Sequence, residues 1–229
     1  MTEHRSSGAH GRRDAATIDP YPDRAAAGRV LGELLRPLHS ADPLVLGLPR
    51  GGVPVAAAVR AEIGGDLDIL LVRKLGVPWQ PELAMGAIGE DGVRVLNEDV
   101  LRHVGATGQQ LAAVEQAEIA ELDRRTRMLR AGRAPIPIAA RIVVIVDDGM
   151  ATGATMAAAC EVVRMHRPRR LVVAVPVSSH EALQRVGSIA DEAVCPLVPE
   201  MLGGVGAVYG DFHQLADDEV LELLHLPSP

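Results

Sequence analysis

The amino-acid sequence predicts an α/β fold in which a mainly parallel central sheet is flanked by helices. Short apolar runs, each long enough for one buried strand, recur at residues 44–48, 67–72, 142–146 and 171–175. Segments rich in alanine and leucine lie between several of these runs and favour helices, which is the alternation typical of a parallel sheet. With 229 residues, the chain can bury a sizeable core as one domain with a small appended subdomain.

The N-terminal part begins this alternation. Residues 1–17 are polar and contain no apolar stretch, so they predict neither a signal peptide nor a membrane anchor. We expect them to be disordered and residues 18–229 to form a single domain. Residues 24–39 are rich in alanine and leucine and predict a helix that begins beside Asp23, and the run at 44–48 predicts the first strand.

The middle of the chain predicts a strand, a loop and a β-hairpin. The run at 67–72 predicts the strand, and residues 75–81 predict the loop because they contain one glycine and two prolines. Residues 85–88 and 93–96 flank a Glu-Asp-Gly turn and predict the β-hairpin.

A long helix is predicted at residues 107–130. Thr107 and Gln110 have the spacing of a capping box, which satisfies the first backbone N–H groups of a helix. Glu121 and Arg125 lie four residues apart, and we interpret this pair as part of a solvated helix face and not as a functional site.

The C-terminal part continues the alternation. The run at 171–175 predicts a strand, and Ser178 with Glu181 suggests a capping box before a short helix. Residues 193–198 predict a last strand, and residues 218–224 predict the final helix.

The most informative segment is the strand at 142–146 with the residues that follow it. Asp147 and Asp148 stand at the carboxyl end of this strand, and a loop of small residues at 149–155 precedes an apolar helix at 156–163. Small residues allow backbone N–H groups to surround an anion, and a helix N-terminus adds its dipole. Paired carboxylates beside such a loop suit sugar hydroxyls, so the segment predicts a site for a phosphorylated sugar.

The run RIVVIVDDGMATGAT resembles the phosphoribosyl pyrophosphate (PRPP) motif of the type I phosphoribosyltransferases. An ordinary buried strand that ends in an acidic turn is the alternative, but such a turn does not account for the T-G-A-T run. The resemblance implies a type I phosphoribosyltransferase-like fold with a flexible loop and a small hood subdomain, in which the acid pair binds the ribose hydroxyls. The residues assigned to PRPP are Asp147, Asp148, Gly149, Ala151, Thr152, Gly153, Ala154 and Thr155.

A second turn, Pro49-Arg50-Gly51-Gly52, follows the first predicted strand. Its glycines would permit a strained or cis backbone whose amides face an anion, and the Arg50 guanidinium offers a planar fork for phosphate oxygens. Taken alone, the turn is equally consistent with a solvated arginine. Type I phosphoribosyltransferases keep a pyrophosphate loop at this point, so the resemblance assigns Arg50, Gly51 and Gly52 to pyrophosphate.

Arg73 and Lys74 follow the strand predicted at 67–72 and are also assigned to pyrophosphate. Lys74 is the only lysine of the chain, which suggests a need for a mobile point charge, with chance retention as the alternative. The resemblance implies a mobile catalytic loop in this region, where Glu82 is a candidate for proton transfer. The candidate catalytic residues are therefore Arg50, Lys74, Glu82, Asp147 and Asp148.

Residues 196–229, with part of the N-terminal segment, are expected to form the hood over an acceptor base. Tyr209 and Phe212 lie close together in this segment, and either ring would stack on a planar base, or both would only pack the final helix onto the core. With Met150 they form the predicted base site. Ala151 stands where relatives that act on 6-oxopurines usually have an aspartate, so the resemblance disfavours hypoxanthine and guanine.

Four runs, LPRGGVPV, RKLGxP, VDDGxATGAT and YxDF, are similar to those of a poorly characterised group of bacterial phosphoribosyltransferases over roughly residues 23–224. The group does not define the base. The function implied is a magnesium-dependent transfer of phosphoribose from PRPP to an unidentified base, with Mg²⁺ bound mainly through PRPP, pyrophosphate and water and with no direct protein ligand. Two other functions stay open, namely a regulatory protein that senses PRPP without turnover and a hydrolase of PRPP or a nucleotide.

The amino-acid composition limits the classes of binding partner that are expected. There are 23 basic and 30 acidic residues, a net charge of −7, and no basic run, which argues against nucleic acid as a partner. No membrane partner is expected. Cys160 and Cys195, without a secretory signal, indicate reduced thiols in the cytoplasm, and a homodimer is left open.

Overall fold

The structure, a computed structural model, describes residues 21–224, so the disorder predicted for residues 1–17 lies outside the described residues. The strands of the described part are β1 (Leu44–Gly47), β2 (Asp66–Ile69), β3 (Val72–Val77), β4 (Gln80–Gly89), β5 (Arg94–Leu96), β6 (Ile142–Val146), β7 (Arg170–Ala174) and β8 (Glu192–Val194). Its α-helices are α1 (Arg24–Leu35), α2 (Gly52–Ile63), α3 (Glu98–Val104), α4 (Gly108–Arg130), α5 (Ala154–Met165), α6 (His180–Gly187) and α7 (Asp217–Leu224).

The central sheet is parallel, with its strands in the order β2-β1-β6-β7-β8. Its middle strand β6 consists of five β-branched residues that are all buried. Alternate residues face opposite helix layers, since Val144 packs with Val55 of α2 and Ile145 packs with Met156 of α5. Helices therefore cover both faces, and the predicted α/β fold class is confirmed.

A second, antiparallel sheet is formed by β3, β4 and β5. It contains the hairpin predicted at 85–88 and 93–96, which is confirmed. The single strand predicted at 67–72 is wrong, because β2 ends at Ile69 and β3 begins at Val72. The loop predicted at 75–81 is also wrong, because β3 continues to Val77 and β4 begins at Gln80.

The apolar run divides between the two sheets, since Ile69 is the last residue of β2 and Val72 is the first residue of β3. Leu70 packs in the core between the central sheet and α5, whereas Leu71 packs with Ile88 and Leu122 beneath the antiparallel sheet. Hydrophobic periodicity does not distinguish one strand from two short strands that meet at a bend.

Most helix boundaries agree with the caps in the sequence. The Thr107 box is confirmed, since Gln110 N donates to Thr107 Oγ1 at 3.2 Å and Thr107 N donates to the Gln110 side chain at 2.8 Å. The cap predicted at Ser178 is wrong by one residue, because the Ser179 hydroxyl accepts from Ala182 N at 3.0 Å. The first helix ends at Leu35, before Pro37, which cannot donate a helical hydrogen bond.

A buried ion cluster joins α4 to both sheets. Arg130, at the end of α4, donates to both oxygens of Asp68 at 2.7 and 3.0 Å and to Glu90 at 2.7 Å. The three side chains are only 4%, 6% and 7% exposed. Asp68 lies in β2 and Glu90 in the hairpin turn, so the cluster fixes the antiparallel sheet against the central one.

The first described residue, Tyr21, pairs with the C-terminal segment. Tyr21 N donates to Val208 O and Gly210 N donates to Tyr21 O, each at 2.7 Å. These bonds place an N-terminal residue within the C-terminal segment, which is the arrangement expected of the predicted hood. The assignment of a hood function to residues 196–229 stays a prediction.

Candidate functional site

The two glycine-containing turns lie side by side because β1 and β6 are neighbouring parallel strands. A Cβ atom on Gly51 would lie 1.9 Å from Asp148 Oδ2, and one on Gly52 would lie 2.5 Å from Val146 O. Residue 52 therefore requires glycine because the clash is with backbone, whereas a side chain at residue 51 would displace the Asp148 carboxylate. The Pro49–Arg50 peptide bond is cis, in agreement with the backbone expected for this turn. Ligands of open α/β sheets collect at this edge, where the strands end.

The acid pair is largely removed from solvent. Burial and the adjacent Asp148 carboxylate raise the pKa of Asp147 well above its usual value. Burial also raises the pKa of Asp148, and this rise is opposed by Arg24, whose Nε donates to Asp148 Oδ2 at 2.9 Å. Two neighbouring carboxylates with one guanidinium form a site that is suited to further hydrogen-bond donors, such as sugar hydroxyls.

Arg24 is a site residue that sequence reasoning missed. It is 8% exposed, donates from Nη1 to His213 O at 3.0 Å, and lies 3.9 Å above the centre of the Phe212 ring. The side chain thus ties the acid pair to the C-terminal segment. The sequence does contain one indication of this role, since Arg24 is predicted in the first turn of a helix. The helix dipole disfavours a cation there unless the side chain has another partner.

The small-residue loop leads directly into α5. Gly153 is the N-cap residue, with φ of 70°, and has no side chain to occupy the first N–H groups of the helix. Thr152 and Thr155 are exposed, so their hydroxyls are accessible to a ligand. The N-cap residue of α6 stabilises the loop, since Ser179 Oγ donates a hydrogen bond to Ala151 O at 2.7 Å.

The predicted base site is only partly assembled. Met150 is 3% exposed and packs in the core with Met156, outside the residues that line the cleft described below, so its assignment to the base stays a prediction. Tyr209 is 7% exposed and donates to Asp148 O at 2.6 Å, so it supports the acid pair from behind. Phe212 stacks on Tyr209 at 5.1 Å and remains 37% exposed, which leaves it as the ring that a base can reach.

An open cleft of about 560 Å³ lies in front of the acid pair. Arg50 enters it from the turn after β1, and its guanidinium donates to Asp217 at 2.8 Å and to Leu215 O at 3.1 Å. Arg125 enters it from α4, although its sequence pattern indicated only a solvated face. The lining includes Arg24, Arg50, Gly51, Arg125, Asp148 and Phe212.

Three predicted residues lie away from this cleft. Arg73 and Lys74 are in the middle of β3 and not at the carboxyl end of a core strand, as the sequence had indicated. Arg73 pairs with Glu118 of α4, and Lys74 Nζ lies 3.5 Å from a Glu82 oxygen. Glu82 lines a separate groove of about 280 Å³ beside α5. Their roles stay predictions.

Neither a metal cluster nor a membrane helix is found in residues 21–224. No group of three or more His, Cys, Asp or Glu side chains in this range could hold a metal ion. None of the helices described is long and apolar enough to cross a membrane.

The sheet and the paired turns define an α/β protein whose candidate site lies at the carboxyl ends of parallel strands. A family model, Phosphoribosyl transferase domain, matches residues 22–198. Two Mycobacterium tuberculosis proteins, from strains CDC 1551 and H37Rv, have the provisional name phosphoribosyl transferase. Each is 50% identical to this chain over 204 residues, which cover 89% of this chain and 46% of the relative. The crystal structure of TT1426 from Thermus thermophilus is 45% identical, with a TM-score of 0.84 over 90% of this chain and 97% of that chain.

The chain belongs to the phosphoribosyltransferase family, and the resemblance inferred from the sequence is confirmed. It spans less than half the length of the two M. tuberculosis relatives, 46% in each case.

Proposed function

We propose that the protein transfers the phosphoribosyl group of PRPP to a nitrogenous base and releases pyrophosphate. The observation that supports this most directly is the close contact of the Arg50-Gly51-Gly52 turn with residues 146–148, where a Cβ atom at residue 52 would meet backbone atoms at 2.5 and 2.9 Å. The turn lines the cleft together with Asp148, and the 151–155 loop follows Asp148 directly in the chain, an order that suits a ligand with phosphates at both ends of a ribose.

Each part of the ligand has a chemically suitable partner in this arrangement. Asp147 and Asp148 accept hydrogen bonds from the two ribose hydroxyls. The loop of residues 151–155 and the N-terminus of α5 bind the 5′-phosphate. Arg50 binds the pyrophosphate, in place of its present contact with Asp217.

The reaction breaks the C1′–O bond, and its electron pair leaves on pyrophosphate while a base nitrogen attacks C1′ from the opposite face. The ribose ring gains positive charge in the transition state, and the acid pair beside it stabilises that charge. Catalysis therefore depends on positioning and electrostatics more than on a covalent intermediate.

The residues of the cleft fit Mg²⁺ that arrives with the substrate. The oxygen-rich acid pair suits a hard cation and its waters, and the described residues contain no dedicated cluster of metal ligands. When bound, the ion offsets the negative charge of the pyrophosphate group.

The test is a screen of the purified protein with PRPP, Mg²⁺ and a panel of bases, with pyrophosphate release as the readout. We expect release that depends on one base. Release without any base would favour the hydrolase, binding of PRPP without release would favour the sensor, and absence of both binding and release would contradict the proposal.

The acceptor is expected not to be a 6-oxopurine. Ala151 has no side chain that can take a proton from the base, so hypoxanthine and guanine should react slowly compared with the best acceptor. The rate of each base in the same screen measures this, with the Ala151→Asp variant beside the parent protein. Fast turnover of either purine at a rate that Ala151→Asp does not change would contradict the expectation.

Arg50→Ala and Lys74→Ala are expected to weaken pyrophosphate binding more than ribose 5-phosphate binding. Each loses a cation, and one charge-assisted hydrogen bond contributes about 1.5–3 kcal/mol, roughly 10- to 150-fold in affinity. Calorimetry with the two ligands measures the difference. Equal losses for both ligands, or no loss for either, would remove these residues from the pyrophosphate site.

A further inference from the structure

The helix α4 brings a second arginine to the pyrophosphate side of the cleft. Arg125 lines the same 560 Å³ cleft as Arg50, Gly51 and Asp148. The two arginine side chains are similarly accessible, with exposed fractions of 38% for Arg125 and 39% for Arg50. A ligand in the cleft can therefore reach both guanidiniums, one from the turn after β1 and one from α4.

Both guanidiniums are held by carboxylates of the protein itself. Arg50 Nε contacts Asp217 at 2.8 Å, and Arg125 Nε contacts Glu121 at 2.9 Å. Neither carboxylate is buried, with exposed fractions of 25% for Asp217 and 30% for Glu121, so each contact can exchange for another anion at low cost.

Positive charge is in excess on this side of the cleft. A small recess between the Arg50 turn and α4 is lined by Arg50, Arg124, Arg125 and Asp217. Arg124 shares Glu121 with Arg125, at 2.8 Å from Arg124 Nε. Three guanidiniums thus face two carboxylates, and an added phosphate group would balance the charge.

The position of Arg125 is fixed by the fold. Arg130 of the same helix is locked by its bonds to Asp68 and Glu90 in the two sheets. The last turns of α4 therefore cannot move away from the cleft without breaking a buried ion cluster.

We propose that Arg125 and Arg50 together bind the terminal phosphate of the pyrophosphate group, with its oxygens replacing Glu121 and Asp217. This inference rests on the proposed function and adds a site residue that lies outside both turns. Each guanidinium group can donate two parallel hydrogen bonds to one phosphate. The two arginines together thus offset the repulsion between the pyrophosphate and the acid pair, Asp147 and Asp148.

The test compares Arg125→Gln with Arg127→Gln, an exposed arginine of the same helix, by calorimetry with inorganic pyrophosphate and Mg²⁺ and, separately, ribose 5-phosphate. Arg125→Gln is expected to weaken pyrophosphate binding roughly tenfold or more, with ribose 5-phosphate binding changed by less than about twofold. Arg125→Lys keeps the charge but not the planar guanidinium group, so its pyrophosphate affinity should lie between those of Arg125→Gln and Arg127→Gln. Glu121→Gln, which removes the competing carboxylate, should tighten pyrophosphate binding.

The outcomes separate the two proposals. If the parent protein binds both ligands and Arg125→Gln behaves like Arg127→Gln, the role of Arg125 is refuted while the proposed function stands. An equal loss of both ligands in Arg125→Gln would also refute it, because that result indicates general damage. If the parent protein binds neither ligand, the proposed function and this inference both fail.

Discussion

Replacement of both Asp147 and Asp148 by asparagine is expected to abolish measurable PRPP binding while the fold survives. Asparagine keeps the shape of each side chain but removes the charge that accepts from the ribose hydroxyls. Loss of two charge-assisted hydrogen bonds corresponds to about 3–6 kcal/mol, or at least roughly 100-fold in affinity. Titration calorimetry with PRPP and Mg²⁺ measures the loss, and circular dichroism with thermal unfolding measures the fold.

Two further variants make this experiment specific. Glu33→Gln with Glu200→Gln removes the same charge from exposed positions and should leave the affinity unchanged. Asp147→Asn alone keeps the Arg24–Asp148 ion pair at 2.9 Å, so it isolates ligand binding from the packing of the C-terminal segment. A folded double variant that binds PRPP as tightly as the parent protein would show that the acid pair is not the ribose site.

Arg130→Met is expected to lower the free energy of unfolding by about 3–5 kcal/mol, since it leaves two buried carboxylates without their cation. Asp68 and Glu90 are 6% and 7% exposed, and methionine offers neither of them a donor. Urea denaturation measures the change. The matched variant is Arg127→Met, at an exposed position of the same helix, which should change stability by less than about 0.5 kcal/mol.

A small effect of Arg130→Met, similar to that of Arg127→Met, would show that the buried cluster does not hold α4 in place. The result also bears on the site, since the same cluster fixes the end of α4 that brings Arg125 to the cleft. A destabilised but folded Arg130→Met protein is therefore expected to bind pyrophosphate more weakly than the Arg127→Met protein.

The motifs of the sequence predicted the residues of the site better than their surroundings. The strand Ile142–Val146 was predicted with its observed bounds, because five buried β-branched residues have few alternatives. The Pro49-Arg50-Gly51-Gly52 turn was predicted after the first strand, and the structure places it beside the acid pair because β1 and β6 are neighbours. Arg24 was missed because its partner Asp148 is distant in sequence. Arg125 was missed because its local pair with Glu121 indicates a solvated face and does not reveal the cleft on the other side of the side chain.

The sequence by itself determined the fold class, the family and the existence of the two turns, because these depend on local runs of residues with strong conformational and chemical preferences. Only the tertiary structure decided which side chains reach the cleft. It divided the run at 67–72 between two sheets, buried Met150 and Tyr209, brought Arg24 to Asp148 and brought Arg125 to the turn at residues 49–52. The physical reason is that burial and ion pairing are set by contacts between distant segments, which no short pattern contains.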